Sequence, residues 1–301
     1  MVFLEMIENL RTPFFDNLFL LITRVGEEYV FLLIGLMFIW CIDKSCGFCI
    51  LISGLLGQVV NQFLKISFKV ERPWIKNPNF TPVKSAIPAA TGYSFPSGHT
   101  QVATTTFGTI AYRYKNKKSI MLLAITLVFL VGGSRMYLGV HYPLDVLFSW
   151  LFGYFLTVFV TNLYNKEKYV LLKTFSLIAS TSLFIFVLFV TKGEWSIDFS
   201  YSTVLNSAKL LGAAISAIIC WHLDQKYFEF DISGKPFFQI LKLVLGATLV
   251  IFIKSTLKTL FEYLSLNELL ANLIRYFLIV LFAGLFWPYI FNTIKRKASY
   301  K

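Results

Sequence analysis

Charged residues are scarce in this sequence, making up only 15% of its 301 residues, whereas an ordinary soluble domain carries roughly 25%. Hydrophobic residues make up 56% and aromatic residues 18%, and the mean hydropathy is +0.67. A soluble protein of this length could not hide so much apolar surface from water. The composition therefore excludes a soluble globular domain and indicates an integral membrane protein.

Cysteine is also scarce, with four residues, of which Cys46 and Cys49 form a C-x-x-C pair. A redox motif of that kind is expected near a βαβ pattern, which this sequence lacks, and a structural zinc site needs four ligands. Cys41 could supply a third ligand, but no histidine lies nearby. We interpret these cysteines as free thiols at the edge of a membrane helix rather than as a metal or redox site.

Acidic residues are outnumbered by basic ones, 16 to 28, which gives a net charge of +12. The basic residues stand in short clusters between apolar runs, at 113-119, 165-169 and 294-301, and not along one polar stripe. This placement argues against nucleic acid as a partner. It is typical of loops and a tail on the cytoplasmic side of a membrane.

Long apolar stretches recur along the whole chain, and a membrane-spanning helix needs about 20 such residues. Candidate spans cover 27-43, 47-66, 98-114, 119-138, 143-163, 169-191, 204-221, 237-257 and 269-291. We therefore predict an all-α fold, a polytopic transmembrane helical bundle of about nine spans. Residues 1-26 are predicted as an interfacial amphipathic segment, with spanning by residues 13-26 left open.

With an outside N-terminus, this layout puts the basic loops inside, as the positive-inside rule requires. The opposite face then carries the loops at 67-97, 139-142, 192-203 and 258-268. Only the loop at 67-97 is long, and its five prolines break regular structure. Long loops in compact proteins are often functional.

Two clusters of polar residues flank this loop. Lys65 and Arg72 stand about two helical turns apart, so both could reach one face of a helix end. Ser97, Gly98 and His99 open the next apolar run, where free backbone N–H groups make an anion site and glycine lets a ligand approach the main chain. The alternatives are interfacial snorkelling for the two cations and a structural role for the histidine.

A third cluster lies on the same predicted face, with Arg135 near the end of one helix and His141 and Asp145 opening the next. At a spacing of four, the carboxylate can accept the imidazole N–H, which fixes the tautomer and leaves the other ring nitrogen free to attack. A structural hydrogen-bonded pair is the alternative. Because two of the three histidines fall in clusters that share one membrane face, we favour a single site.

The spacing of these clusters resembles the signature of the type 2 phosphatidic acid phosphatase superfamily. Its three motifs read Lys-x6-Arg-Pro from Lys65 to Pro73, Pro-Ser-Gly-His from Pro96 to His99, and Ser-Arg-x5-His-x3-Asp from Ser134 to Asp145. All three match in order without a gap, over about residues 60-150. The resemblance implies a phosphatase that forms a phosphohistidine and needs neither a metal nor another cofactor.

The resemblance also implies a role for each matched residue. His141 would attack phosphorus, Asp145 would orient it, and His99 would protonate the leaving oxygen. The phosphate would be bound by Lys65, Arg72, Ser97, Gly98 and Arg135. Fixed cations and N–H donors suit phosphoryl transfer because charge spreads over the equatorial oxygens of the transferred group.

The predicted organisation is an N-terminal interfacial segment at 1-26, a phosphatase core at 27-165 with its helices around 45-163, and further transmembrane helices at 166-301. The predicted substrate is a lipid phosphate: phosphatidic acid, a sphingoid phosphate or a polyisoprenyl pyrophosphate. Membrane lipids are the predicted surroundings, and the sequence leaves the oligomeric state open. We predict a bacterial plasma membrane with the site facing outside, or the lumenal side in a eukaryote.

Three other functions stay open at this stage. A soluble sugar phosphate is the runner-up substrate, since nine spans with an outside N-terminus are similar to the glucose-6-phosphatase branch. A phosphotransferase would pass the phosphoryl group to a lipid or sugar acceptor. A transporter or flippase would use the cations for translocation without any chemistry at His141.

Overall fold

A computed structural model describes residues 1–191 and 200–299, which are helical nearly throughout and contain no strand. The helices are α1 Val2–Glu8, α2 Pro13–Arg24, α3 Glu28–Met37, α4 Lys44–Phe68, α5 Pro73–Lys76, α6 Gly98–Arg113, α7 Lys118–Tyr137, α8 Pro143–Asn165, α9 Tyr169–Thr191, α10 Ser200–Leu223, α11 Pro236–Tyr263, α12 Glu268–Leu281 and α13 Trp287–Ser299. Short π-helical turns continue α3, α10 and α12. The predicted all-α transmembrane bundle is confirmed.

Seven helices of the described chain are long and apolar enough to cross a membrane, and a bent pair formed by α2 and α3 raises the number to eight. The sequence predicts about nine spans. The difference lies at 98-114, where α6 has only 16 residues and, at 1.5 Å per residue, extends about 24 Å. It is also rich in threonine, which lowers its hydropathy.

The N-terminal residues form two helices where the sequence predicts one amphipathic segment over 1-26. Thr12 starts the second of them: its hydroxyl accepts a hydrogen bond from the amide of Phe15 at 3.4 Å, and Pro13 occupies the first helical position. Both features favour a helix N-terminus. Helix α2 then meets α3 at an angle of 47°.

The described chain divides into two compact units. The first contains residues 1–35 and 49–169, and the second contains residues 36–48 and 170–301. All the predicted site residues belong to the first unit. Residues 1–26, which the sequence analysis separates from the core, are part of that unit because they contact α7. The predicted outward loop at 192-203 falls mostly outside the described residues.

Helix α6 lies at the centre of the first unit, packed against α7 and α8, with eleven of its sixteen residues buried. Its threonines are compatible with burial because their hydroxyls donate to backbone carbonyls one turn earlier. Thr104 donates to Thr100 O at 2.7 Å, and Thr109 donates to Thr105 O at 2.6 Å. Satisfied hydroxyls let a polar sequence occupy the core without a large desolvation cost.

The second unit presents an apolar exterior. Helix α11 buries only Gly246, while Phe237, Ile251 and Phe252 are each more than 60% exposed. A surface of this kind suits lipid and not water. The chain is an integral membrane protein.

Candidate active site

The turn between α7 and α8 joins two of the predicted site residues, Arg135 and His141. Gly139 adopts a left-handed backbone, with φ of 73°. Its amide bonds to Met136 O at 3.0 Å, and the amide of Val140 bonds to Arg135 O at 3.2 Å. This is a Schellman motif, which ends a helix and reverses the chain. It fixes Arg135 in the last turn of α7 and starts the segment that carries His141.

His141 and Asp145 contact each other directly. The distance from His141 Nδ1 to Asp145 Oδ2 is 3.2 Å, and both side chains are buried. The same carboxylate oxygen accepts the amide of Tyr142 at 3.0 Å, so Asp145 also closes the first turn of α8. The carboxylate assigns the imidazole proton to Nδ1, and the lone pair is then on Nε2.

Ser94 is a further residue of this group that the sequence analysis did not identify. Its hydroxyl donates to Asp145 Oδ2 at 2.5 Å, and its side chain is fully buried. A carboxylate that accepts several hydrogen bonds is fixed in position. Ser94 lies two residues before Pro96, and that proximity to the second motif is the only sequence signal that could have identified it.

Arg72 is held mainly by backbone carbonyls. Its guanidinium donates to Gly92 O at 2.9 Å, Thr91 O at 2.8 Å and Val140 O at 2.7 Å. Its Nη1 also lies 2.9 Å from Nε2 of His141. These contacts use most of the five N–H donors of Arg72. The charge of Arg72 is therefore fixed beside His141, and few of its N–H groups remain to bind a ligand.

Arg135 is held in a different way. Its side chain is fully buried, and Nη1 donates to the Thr23 hydroxyl at 2.8 Å. Its Nε and Nη2 have no hydrogen-bond partner among the described residues. Buried unpaired donors are costly and call for an explanation. Nε and Nη2 form the edge of a guanidinium that binds carboxylate or phosphate in bidentate fashion.

Lys65 is the third cation of the site. It lies near the end of α4, is 7% exposed, and its ammonium donates to the carbonyl of Tyr93. Arg72 contacts the same stretch of the loop through Thr91 and Gly92. The two residues of the first motif therefore both hold the end of the long loop, at residues 91–93.

Ser97, Gly98 and His99 begin α6 as the sequence predicts. The Ser97 hydroxyl caps the helix by accepting from Thr100 N, at 3.5 Å. A Cβ atom added at Gly98 would meet, among the described residues, only Asn61 Oδ1, at 3.9 Å, so this position is open. Nε2 of His99 is buried without a hydrogen-bond partner among the described residues. An open main chain at a helix start is suited to an anion.

The charges of the three motifs converge on His141. Burial, and then the positive charges of Arg72, Arg135 and Lys65, lower the pKa of His141 well below its ordinary value of 6.5. A lowered pKa keeps the imidazole neutral at near-neutral pH. The neutral form has the lone pair that a nucleophile needs.

The described residues contain no group of three or more histidine, cysteine and acidic side chains that could hold a metal ion. The four cysteines, all among these residues, form no disulfide bond, and Cys46, Cys49 and Cys220 are buried. A cavity of about 460 Å³ lies elsewhere on the first unit, lined by residues that include Glu8, Arg11, Asp16 and Lys84. None of the predicted site residues lines it.

Comparison with known families finds two matches along the chain. The PAP2 superfamily matches residues 46–169, and the family described as "PAP2 superfamily phosphatase, transmembrane extension" matches residues 208–299. The first range contains every predicted site residue. The second falls within α10 to α13.

Individual relatives are similar over the first range. An undecaprenyl-diphosphatase of Sulfolobus acidocaldarius is 32% identical over 46% of this chain and 65% of its own length. A phosphatidylglycerophosphatase B of Bacillus subtilis is 34% identical over 38% of this chain and 60% of its own length. In both cases less than two thirds of the relative is covered. The crystal structure of a transmembrane PAP2 type phosphatidylglycerolphosphate phosphatase from Bacillus subtilis has 28% identity and a TM-score of 0.46, over 55% of this chain and 84% of that one.

Proposed function

The chain belongs to the PAP2 superfamily, and on that premise we propose that it is a membrane phosphatase that hydrolyses a lipid phosphate through a phosphohistidine on His141. One observation carries the proposal. His141 Nδ1 contacts Asp145 while its Nε2 faces Arg72 at 2.9 Å, so a neutral nucleophile is oriented beside a fixed cation. This is the constellation that covalent phosphoryl transfer requires.

In the first step of the proposed reaction, Arg72 Nη1 turns from Nε2 of His141 to a phosphate oxygen, and the lone pair on Nε2 forms a bond to phosphorus. The bond from phosphorus to the leaving oxygen breaks, and His99 donates to that oxygen a proton that the negative charge of the bound phosphate stabilises against burial and the neighbouring cations. Asp145 stabilises the positive charge that develops on the imidazole of His141. In the second step, His99 takes a proton from water as the water oxygen attacks phosphorus, which releases orthophosphate and free His141.

In the proposed reaction, the three cations and the N-terminus of α6 stabilise the negative charge of the transferred phosphoryl group. Negative charge spreads over its equatorial oxygens, and fixed donors stabilise it without reorganising. In our assignment, Arg135 supplies a bidentate edge, Arg72 and Lys65 supply positive charge, and Ser97 with the amide of Gly98 supplies further hydrogen bonds. The protein's own cations thus do the work of charge neutralisation.

The proposed substrate is a lipid with a terminal phosphate or diphosphate. The site lies at the ends of apolar helices, where a headgroup can meet the cations while its tail lies in the bilayer. The names of the two relatives point to polyprenyl diphosphates and phosphatidylglycerol phosphate as members of this class. By the positive-inside rule, we place the site on the outer face of a bacterial plasma membrane.

The test is phosphate release by the purified full-length protein in detergent. The panel contains undecaprenyl diphosphate, phosphatidylglycerol phosphate, phosphatidic acid, sphingosine phosphate and glucose 6-phosphate, each with EDTA, and the His141→Asn variant is the blank. We expect release from at least one lipid and none from the blank. Release from glucose 6-phosphate alone would contradict the lipid assignment. An absence of release from every substrate would contradict the proposed function.

A further inference from the structure

Thr23 lies in the last turn of α2, outside the stretch that matches the PAP2 superfamily. Its side chain is 4% exposed, and its hydroxyl accepts a hydrogen bond from Arg135 Nη1 at 2.8 Å. The two residues are 112 positions apart in the sequence. A residue of the N-terminal segment therefore contacts a cation of the site.

This contact determines how the guanidinium of Arg135 can be used. The group is planar and rigid, so an anchor on Nη1 sets the direction of the opposite edge, which carries Nε and Nη2. Those two atoms are buried without a partner among the described residues. With Nη1 on Thr23, the bidentate edge stays available for a phosphate.

The backbone after Thr23 is seated close to the site. A Cβ atom added at Gly26 would lie 2.9 Å from the carbonyl oxygen of His99 and 2.7 Å from a methyl of Val131. The backbone at Gly26 is thus packed tightly between the start of α6 and α7, and no side chain would fit there. Close packing of this kind limits the movement of the Thr23 hydroxyl.

We propose that Thr23 is a positioning residue that holds Arg135 in its phosphate-binding orientation, and that the segment from Thr23 to Gly26 completes the site. Arg135 would contact the substrate, and Thr23 would act through it. The inference rests on the proposed function, since it assigns a part in that reaction to a residue outside the three motifs.

The test compares two substitutions at one position. Thr23→Val keeps the shape and removes the acceptor, whereas Thr23→Ser keeps the hydroxyl. We expect Thr23→Val to lower kcat/KM about tenfold, as loss of a hydrogen bond to a charged group should. The fall should be mainly in kcat, because the orientation of Arg135 matters most at the transition state. Thr23→Ser should stay within about twofold of the wild type.

The matched control is Thr157→Val. Thr157 is fully buried in α8, its hydroxyl has no hydrogen-bond partner among the described residues, and it lies twelve positions beyond Asp145. That separation along a helix is about 18 Å. This variant removes a buried hydroxyl of the same type, and its kcat/KM should equal that of the wild type. A tenfold fall in the control, or in Thr23→Ser, would overturn the inference.

A double-mutant cycle with Arg135→Lys tests the coupling. If Thr23 acts through the guanidinium, adding Thr23→Val to Arg135→Lys should lower kcat/KM by less than twofold. A full tenfold fall in that background would contradict a role through Arg135. Thermal unfolding of each variant in detergent separates these effects from a general loss of folded protein.

A second readout distinguishes failure of the inference from failure of the proposed function. Orthophosphate should raise the unfolding temperature of the wild type, and more phosphate should be needed for the same rise in Thr23→Val. An active wild type with an equally active Thr23→Val would overturn the inference alone. If the wild type is inactive but Thr23→Val needs more orthophosphate for the same rise in unfolding temperature, the proposed function alone is overturned. Equal phosphate responses in an inactive protein would overturn both.

Discussion

The two arginines of the site differ in what holds them. Arg72 donates to three backbone carbonyls, of Thr91, Gly92 and Val140. Arg135 donates to the side chain of Thr23, and its Nε and Nη2 have no partner in the part of the chain that the structure describes. We call these the loop side and the helix side of the site. Arg72 uses most of its N–H donors to hold the backbone, and its charge lies beside His141. In the function proposed above, Arg72 therefore mainly stabilises the loop, whereas Arg135 binds the phosphate.

The largest expected contrast comes from removing each guanidinium in turn. Arg135→Met should lower kcat/KM about 1000-fold, as the loss of a fixed donor to developing charge does. Its unfolding temperature should be unchanged or higher, because a buried cation with unpaired donors is costly. Activity assays and thermal unfolding in detergent measure the two effects.

Arg72→Met should lower both activity and stability. It leaves the buried carbonyl of Val140 and the partly buried carbonyls of Thr91 and Gly92 without this donor, which should reduce the unfolding temperature by roughly 5 °C. If Arg72→Met and Arg135→Met change the unfolding temperature by the same amount, the claim that only the loop side stabilises the fold is wrong.

A smaller effect is expected at the start of α6, between the two sides. Gly98→Ala adds a methyl group whose nearest neighbour in the described chain is Asn61 Oδ1, at 3.9 Å, so the fold should tolerate it. The methyl group would stand where a phosphate approaches the main chain, and a misplaced substrate should cost about 100-fold in kcat/KM.

The control for that substitution is Gly133→Ala in α7, where an added Cβ meets no atom of the described residues within 4 Å. Alanine is a better helix former than glycine, so this variant should be fully active and as stable as the wild type or more so. Equal activity of Gly98→Ala and Gly133→Ala would argue against phosphate binding at this helix start.

A further effect is expected from Ser94 on the loop side. Ser94→Ala removes the 2.5 Å hydrogen bond to Asp145 Oδ2 and should lower kcat about tenfold, since His141 loses a firmly held partner. Ser53→Ala is the control, because Ser53 is also fully buried and donates to Cys49 O at 2.7 Å in α4. A change in KM with kcat preserved would contradict an orienting role for Ser94.

The smallest effect on turnover is expected at the turn between α7 and α8. Gly139→Ala places a side chain at φ of 73° and within 2.6 Å of Arg11 Nη2 and 2.8 Å of the Phe80 ring. The backbone strain alone should cost about 1 kcal/mol of stability. Thermal unfolding should register this loss, and stability equal to that of the wild type would mean that the turn does not depend on glycine.

Sequence reasoning could predict the bundle and the residues of the three motifs, because apolar runs and fixed local spacings are visible along a chain. Spacing predicts the contact between His141 and Asp145, which the structure has, but the prediction that both residues open a helix is wrong for His141, which lies two residues before α8. Helix α6 is predicted as a span but is not long and apolar enough to be one. Its threonine hydroxyls donate to backbone carbonyls, which allows a short polar helix to be buried.

The supporting contacts could not be predicted in the same way. Thr23 reaches Arg135 across 112 positions, and Ser94 reaches Asp145 across 51. Neither residue belongs to a local pattern, and both contacts depend on how distant segments pack. The carbonyls that hold Arg72 carry no sequence signal at all, because every residue has one. The difference between the two sides of the site is therefore visible only in three dimensions.

The most direct test of the phosphohistidine is oxygen exchange between labelled orthophosphate and water. An enzyme that forms a covalent phosphohistidine from orthophosphate releases one phosphate oxygen as water, and hydrolysis returns a solvent oxygen, so oxygen-18 leaves the phosphate without any lipid present. We predict that the wild type catalyses this exchange in EDTA and that His141→Asn does not. A wild type that hydrolyses its lipid but shows no exchange, or a His141→Asn variant that retains exchange, would contradict the assignment of His141 as the nucleophile.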